Sequence, residues 1–284
     1  MEKFTTKSGI SKYVQQKRSE GKTIGFVPTM GALHHGHLSL IERAVRQCDI
    51  VISSIFVNPT QFNDPKDLEK YPRPIINDTG KLEQAGCDAL FNPVVSEMYD
   101  RNEQWHLNIG ELEHLLEGKF RPGHYQGVMQ VVYKLFDIVK PDVAFFGQKD
   151  YQQFMVINKM VEVLNLPVKL VMCPIERESY GLAMSSRNIH LTDDDRRHAL
   201  ILSKTLYHVK ENFKSDNITA LKKQAEAAIR AEPGVELDYF ELANADNLHP
   251  ANQNTKIIVA LVAAKVGNTR LIDNMIINSD FGMF

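Results

Sequence analysis

Thr23-Ile24-Gly25-Phe26-Val27-Pro28-Thr29-Met30-Gly31-Ala32-Leu33-His34-His35-Gly36-His37 is the stretch that decides the fold. Its first part, 23–27, is a short apolar run that predicts a strand. Beyond it, Leu38, Leu40, Ile41, Ala44 and Val45 recur at helical spacing and predict a helix over 38–47. His34 and His37 therefore stand where a strand ends and a helix begins. The first turn of a helix exposes unpaired N–H groups and the positive end of its dipole, which attracts phosphate. Gly36 removes the Cβ that would block close approach. Two imidazoles on that turn add donors that change charge near neutral pH. The residues are also compatible with histidines that simply cap the helix, and with a zinc site built on His34 and His37.

On the C-terminal side of this turn, strand and helix signals keep alternating. The near-continuous apolar run 49–57 predicts a strand buried on both faces, stopped by Asn58-Pro59. A helix ends at Gly86, a short strand covers 89–91, and a helix over 128–139 precedes Lys140-Pro141. A strand at 143–146, a helix over 151–164 and a strand at 168–172 follow. This βαβ alternation predicts an α/β fold, a Rossmann-like, doubly wound parallel sheet with helices on both faces. Ligands then bind beyond the carboxyl ends of the strands, near the switch point in strand order.

The pattern changes near Ser179. Thr192 followed by Asp193, Asp194 and Asp195 predicts an N-cap with an acidic first turn, opening a helix to about residue 213. A second helix over 218–231 stops before Pro233-Gly234, and strands at 237–242, 257–266 and 271–277 close the chain. Helix, helix, then strands predicts a second, smaller α+β domain. The expected division is 1–178 and 179–284, which matches the length prior for 284 residues.

Composition narrows the function classes. Hydrophobic residues make up 43 % and charged residues 24 %, ordinary values for a globular protein with a sizeable core. A formal net charge of −2 gives no bulk attraction to nucleic acid or to an anionic membrane. No apolar run is long enough to span a bilayer; the longest, 257–264, suits a buried strand. Cys48, Cys87 and Cys173 form no CxxC pair, and Met1–Lys7 lacks the apolar core of a secretory signal. A reduced, cytoplasmic setting is expected.

Three further clusters follow strands. In Gly147-Gln148-Lys149-Asp150, the glycine lets backbone approach a ligand and Lys149 supplies a mobile cation; Gln153 lies one helical turn from Lys149. Met184-Ser185-Ser186-Arg187 packs hydroxyls and a guanidinium into a loop at the domain junction, near Gly181, and suits a triphosphate tail. Asn58 and Gln61 are neutral amides at a strand end, able to orient hydroxyls and carboxylates. Each cluster is equally compatible with a solvated turn.

The ordered set of PTMGALHHGH, Phe56–Phe62, Tyr71-Pro72-Arg73, Arg121–His124, Phe146–Gln153, Gly181–Asn188 and Arg270–Asn274 resembles the pantoate–β-alanine ligase family over nearly the whole chain. That family belongs to the HIGH-motif nucleotidyltransferases. The resemblance implies ATP-dependent condensation of pantoate with β-alanine to pantothenate, AMP and pyrophosphate through a pantoyl adenylate. It implies Mg²⁺, a homodimer, and partners that are small molecules rather than nucleic acid or membrane. His37 and His34, with Lys149 and Arg187, are the implied catalytic residues, His37 being the proton donor. ATP contacts are implied at Met30, Gly31, His34, Gly36 and His37, at Gly147, Lys149 and Asp150, at Glu176, and at Met184, Ser185, Ser186 and Arg187. Pantoate and β-alanine are implied at Thr29, Met30, Asn58, Gln61 and Gln153, and the metal at Asp78. A nucleotidylyltransferase that keeps its adenylated product, a tRNA-charging enzyme and a non-catalytic nucleotide sensor are the alternatives.

Overall fold

The computed structural model describes residues 1–101 and 103–279; the expected second domain extends past them, over 280–284. Contacts divide the chain into two compact units. One comprises Met1–Gly147 and Gln153–Cys173, the other Gln148–Gln152 and Pro174–Phe284.

The first unit is built on β1 (Glu2–Phe4), β2 (Ile24–Thr29), β3 (Ile50–Ile55), β4 (Ala89–Phe91), β5 (Val143–Gly147) and β6 (Lys169–Cys173). Its helices are α1 (Lys7–Ser19), α2 (His35–Val45), α3 (Pro65–Lys70), α4 (Ile75–Gln84), α5 (Val95–Met98), α6 (Leu116–Phe120), α7 (His124–Val139) and, from Gln153 onward, α8 (Tyr151–Val163). The six strands are parallel, in the order β1-β4-β3-β2-β5-β6. Chain progression reverses between β2 and β5, so the switch point lies at the carboxyl ends of these two strands. The histidine turn leaves β2 there, and Gly147 closes β5.

Alternation along β2 explains the two covered faces. Val27 points into a cluster with Leu40, Ile41 and Ala44 of α2 and with Val51, Ile55 and Phe145. Phe26 points the other way and meets Phe136 of α7 edge-on, with ring centroids 6.4 Å apart. Every residue of β3 is buried, its two serines included; Ser53 Oγ offsets the cost by donating to Val27 O at 2.9 Å. The sequence reading carries no strand at Glu2–Phe4 and no helix at Lys7–Ser19. The first is only three residues long and the second is largely polar, with Ile10, Tyr13 and Val14 as its buried stripe.

The second unit holds α9 (Asp193–Asn212), α10 (Ile218–Ala231) and an antiparallel sheet β7-β8-β9 over Val235–Asn244, Ile258–Val266 and Thr269–Ile276. Thr192 is the N-cap expected from the sequence, and with Asp195 it forms a capping box: Asp195 N–H donates to Thr192 Oγ1 and Thr192 N–H to Asp195 Oδ2, both at 3.1 Å. Leu202, Leu206 and Val209 of α9, Leu221 and Ile229 of α10, and Phe240 and Val262 of the sheet share its core.

Candidate active site

In the first unit, the turn after β2 is held by Thr29 and Asp78. Gly31 has φ 81° and Ala32 φ 52°, two consecutive left-handed residues. Thr29 Oγ1 donates to Ser54 O at 2.8 Å and accepts Gly31 N–H at 3.2 Å, so this predicted substrate contact has its hydroxyl committed to bracing the turn. Asp78, on the first turn of α4, accepts Ala32 N–H at 2.7 Å and Leu33 N–H at 2.8 Å. His34 then stands as the extended N-cap of α2, and Gly36 and His37 fall in its first turn.

The two imidazoles lie with ring centroids 4.1 Å apart. His34 N–H is directed at His37 Nδ1 over 3.4 Å. An acceptor Nδ1 places the ring hydrogen of neutral His37 on Nε2, where it can be donated to an anion.

A second group of predicted residues converges behind this turn. Asn58, 1 % exposed, donates through Nδ2 to Gln61 Oε1 at 3.1 Å and to Gly127 O at 3.0 Å. With its carbonyl taken, the Gln61 amide offers its NH₂, whose nitrogen lies 3.3 Å from Met30 Sδ. The polar end of Gln61 thus abuts the first residue of the histidine turn.

Residues outside the expected site set hold Asn58 and the Gln61 backbone in place. Tyr99 donates to Asn58 Oδ1 at 2.6 Å, and burial pushes its phenol up to about 12. His124 Nδ1 lies 2.8 Å from Gln61 O and its Nε2 lies 3.1 Å from Arg121 Nη1. Arginine only donates, so Nε2 accepts and Nδ1–H bonds the Gln61 carbonyl. Gly127 is needed for close approach: a Cβ there would sit 2.4 Å from Thr60 O. The motif carrying Arg121 and His124 is legible in the sequence; nothing local signals Tyr99 or Gly127.

Asp78 does not occupy a metal-binding environment. It is 1 % exposed and both its oxygens are engaged by backbone N–H groups. Mg²⁺ keeps several waters in octahedral geometry, which such a position cannot accommodate. No group of three or more His, Cys, Asp or Glu side chains that could hold a metal ion occurs among the described residues.

In the second unit, β9 supports two other predicted segments. Asn274 Nδ2 donates to Gln148 O and Lys149 O, both at 2.9 Å, and Asn274 Oδ1 accepts from Gln148 Nε2 at 3.0 Å. Lys149 is half-buried, Asp150 exposed. Next to Asn274, Asp273 grips Arg177 through paired bonds of 2.7 and 3.0 Å. Burial opposes the charge of Arg177, but Asp273 outweighs it and pushes its pKa up. Arg177 in turn bonds Gly181 O at 3.2 Å, bracing the loop in which Met184 N–H donates to Glu176 O at 2.9 Å. Ser185 caps the short 3₁₀ turn Ser186–His190 by accepting Arg187 N–H at 3.2 Å. Lys149, Met184, Ser185, Ser186 and Arg187 are thus presented by one unit. Gly147 and Gln153 belong to the other.

A parallel sheet whose switch point opens onto a helix N-terminus with paired histidines defines a class, the α/β proteins that take a nucleotide at their strand ends. Within it, the chain belongs to the pantoate-β-alanine ligase family, whose model matches residues 2–276. The pantothenate synthetase of Porphyromonas gingivalis is 45 % identical over 277 residues, covering 97 % of this chain and 99 % of that relative. That of Pseudomonas fluorescens is 47 % identical, covering 94 % and 95 %. The crystal structure of pantothenate synthetase from Thermus thermophilus superposes with a TM-score of 0.91 at 38 % identity, over 98 % of this chain and 100 % of that one. The pantoate-β-alanine ligase of Francisella tularensis, complexed with β-γ ATP and β-alanine, gives 0.78 at 36 % identity, over 99 % of each chain.

Proposed function

We propose that this chain joins pantoate to β-alanine with cleavage of ATP to AMP and pyrophosphate. In the first step a pantoate carboxylate oxygen attacks the α-phosphorus, and the bond to the bridging oxygen of pyrophosphate breaks. In the second, the β-alanine amine attacks the acyl carbon of pantoyl adenylate, AMP departs with the bonding pair, and the amine loses its proton. Family membership supports this reading, as does the ligand pair of the Francisella tularensis relative. The observation that carries it is the 3.3 Å approach of Gln61 Nε2 to Met30 Sδ, which sets a donor for a small acid against the start of the phosphate-attracting turn.

Attack by one anion on another needs charge neutralisation more than a base. His37 donates Nε2–H to a phosphate oxygen, and His34 caps the same turn. Lys149, Ser185, Ser186 and Arg187 take the charge that develops on the departing pyrophosphate. Met30, Gly31, Gly36, Gly147, Asp150, Glu176 and Met184 border the nucleotide; Thr29, Asn58, Gln61 and Gln153 border pantoate and β-alanine. Residues 179–284 serve as a lid that closes over ATP. Mg²⁺ supplies charge neutralisation along the triphosphate when it accompanies ATP, but the surroundings of Asp78 do not fit it. We take the enzyme to be a cytoplasmic homodimer, as the family resemblance implies.

AMP release tests the reading when each of ATP, pantoate and β-alanine is omitted in turn. All three should be required. Folded protein that releases AMP without pantoate, or none with all three, overturns it.

A further inference from the structure

Asp78 and Lys81 lie one turn apart on α4 and reach the same short segment. Asp78 accepts the N–H groups of Ala32 and Leu33, and Lys81 Nζ donates to Leu33 O at 2.5 Å. The segment so held contains the two consecutive left-handed residues Gly31 and Ala32. Alanine adopts that conformation only where its surroundings impose it. Successive backbone N–H groups in such a turn form a concavity that attracts an anion. Here the chain fills that concavity with its own carboxylate. A Cβ at Gly31 would stand 3.0 Å from Asp78 Oδ2 and 3.0 Å from Ile55 Cγ2, so the turn is packed onto this carboxylate as well as bonded to it.

We infer that Asp78 is a positioning residue for the His34–His37 turn rather than a magnesium ligand. The inference rests on the reading of that turn as the ATP phosphate site. By fixing the N–H groups of Ala32 and Leu33, Asp78 sets where the next residue, His34, begins α2. That in turn fixes the His34 N–H against His37 Nδ1 and keeps the ring hydrogen of neutral His37 on Nε2. Lys81 holds the next peptide group, through the Leu33 carbonyl. The chemistry assisted is therefore the phosphoryl step, not the attack of β-alanine on a finished adenylate.

Asp78→Asn separates the roles. The amide keeps one acceptor but turns an NH₂ toward the other backbone N–H. In the metal-free protein, hydrogen exchange at the Ala32 and Leu33 amides should accelerate on this substitution. Pantoate-dependent pyrophosphate release should fall by about 10²-fold, the scale of an ångström-level misplacement. The half-saturating Mg²⁺ concentration should stay unchanged, and turnover of supplied pantoyl adenylate with β-alanine should stay near wild type. Lys81→Met retains the carboxylate and should reproduce the same pattern more weakly, which keeps the test decisive if Asp78→Asn fails to fold. Unchanged amide exchange, or a raised Mg²⁺ requirement rescued by excess Mg²⁺, overturns the inference. Wild-type protein without pantoate-dependent pyrophosphate release breaks the ligase reading instead, while the exchange result still decides what Asp78 holds.

Discussion

Asn274 holds Lys149 by its backbone: the Asn274 side-chain amide donates to Lys149 O at 2.9 Å, and equally to Gln148 O. A strand near the end of the chain thereby fixes a lysine on the segment that follows β5. The partners are buried at Asn274 and Gln148, so removing the amide orphans two carbonyls and the Gln148 NH₂ together. Asn274→Ala should lower stability by about 1–3 kcal/mol. Its larger effect should be on ATP, with pantoate-dependent pyrophosphate release reduced by up to about 10²-fold through displacement of Lys149. Thermal unfolding beside initial rates checks both parts. A loss of stability with unchanged kinetics would assign Asn274 to folding alone.

Tyr99 braces the residues proposed to hold pantoate. Its phenol donates to Asn58, and Asn58 donates to Gln61, so the orientation of the Gln61 amide depends on a residue 38 positions away in the sequence. Tyr99→Phe removes the shortest of the bonds to Asn58 Oδ1 and leaves that amide held by Thr60 and Gly127, apart from Gln61 itself. The KM for pantoate should rise by roughly 10-fold, the equivalent of one hydrogen bond, while the KM for ATP stays put. Steady-state kinetics with each substrate varied would show it. A parallel rise in both constants would contradict the proposed division of labour.

The legible part of this molecule follows from local rules. The all-buried run of β3, the N-cap at Thr192 and the helix Ile218–Ala231 are each written in consecutive residues, and the structure carries each of them. The N-terminal strand–helix pair escapes the sequence reading because three residues give no periodicity and the helix buries only a narrow stripe. At the candidate site the polar groups proposed to face a ligand stand in short motifs. Those that orient them do not. Tyr99 reaches Asn58, Gly127 makes room for Thr60, and Asn274 grips Lys149, all through contacts that only the folded chain creates. Asp78 shows the converse: the family resemblance implies a metal there, and its bonds to the Ala32 and Leu33 N–H groups, which only the folded chain creates, are the ground for inferring an anchor instead.

Glu103 supports the Tyr99 side of the site through Lys134, whose ammonium lies 2.7 Å from the carboxylate and 5.3 Å over the Tyr99 ring. Burial opposes ionisation of Glu103, but Lys134, the Asp100 N–H and Gln130 outweigh it and hold its carboxyl below the ordinary 4.5. The unfolded chain therefore takes up this proton first as pH falls. The stabilisation is intact above 4.5 and is lost as pH drops through the folded-state value. Glu103→Gln should lower the Tm at neutral pH and converge with wild type in acid. A Tm difference that stays constant with pH would remove the ion pair from the account.

Exchange of labelled pyrophosphate into ATP isolates the adenylation step, because it needs the first half-reaction to run in both directions and does not need β-alanine. Wild-type protein should exchange only when pantoate is present. His37→Ala and Lys149→Ala should each lose roughly 10²–10³-fold, as expected for deletion of a preorganised charge-stabilising group, with the fold intact. Exchange independent of pantoate, no exchange in folded wild-type protein, or near-normal exchange in both variants would contradict an adenylating site built on the histidine turn and Lys149.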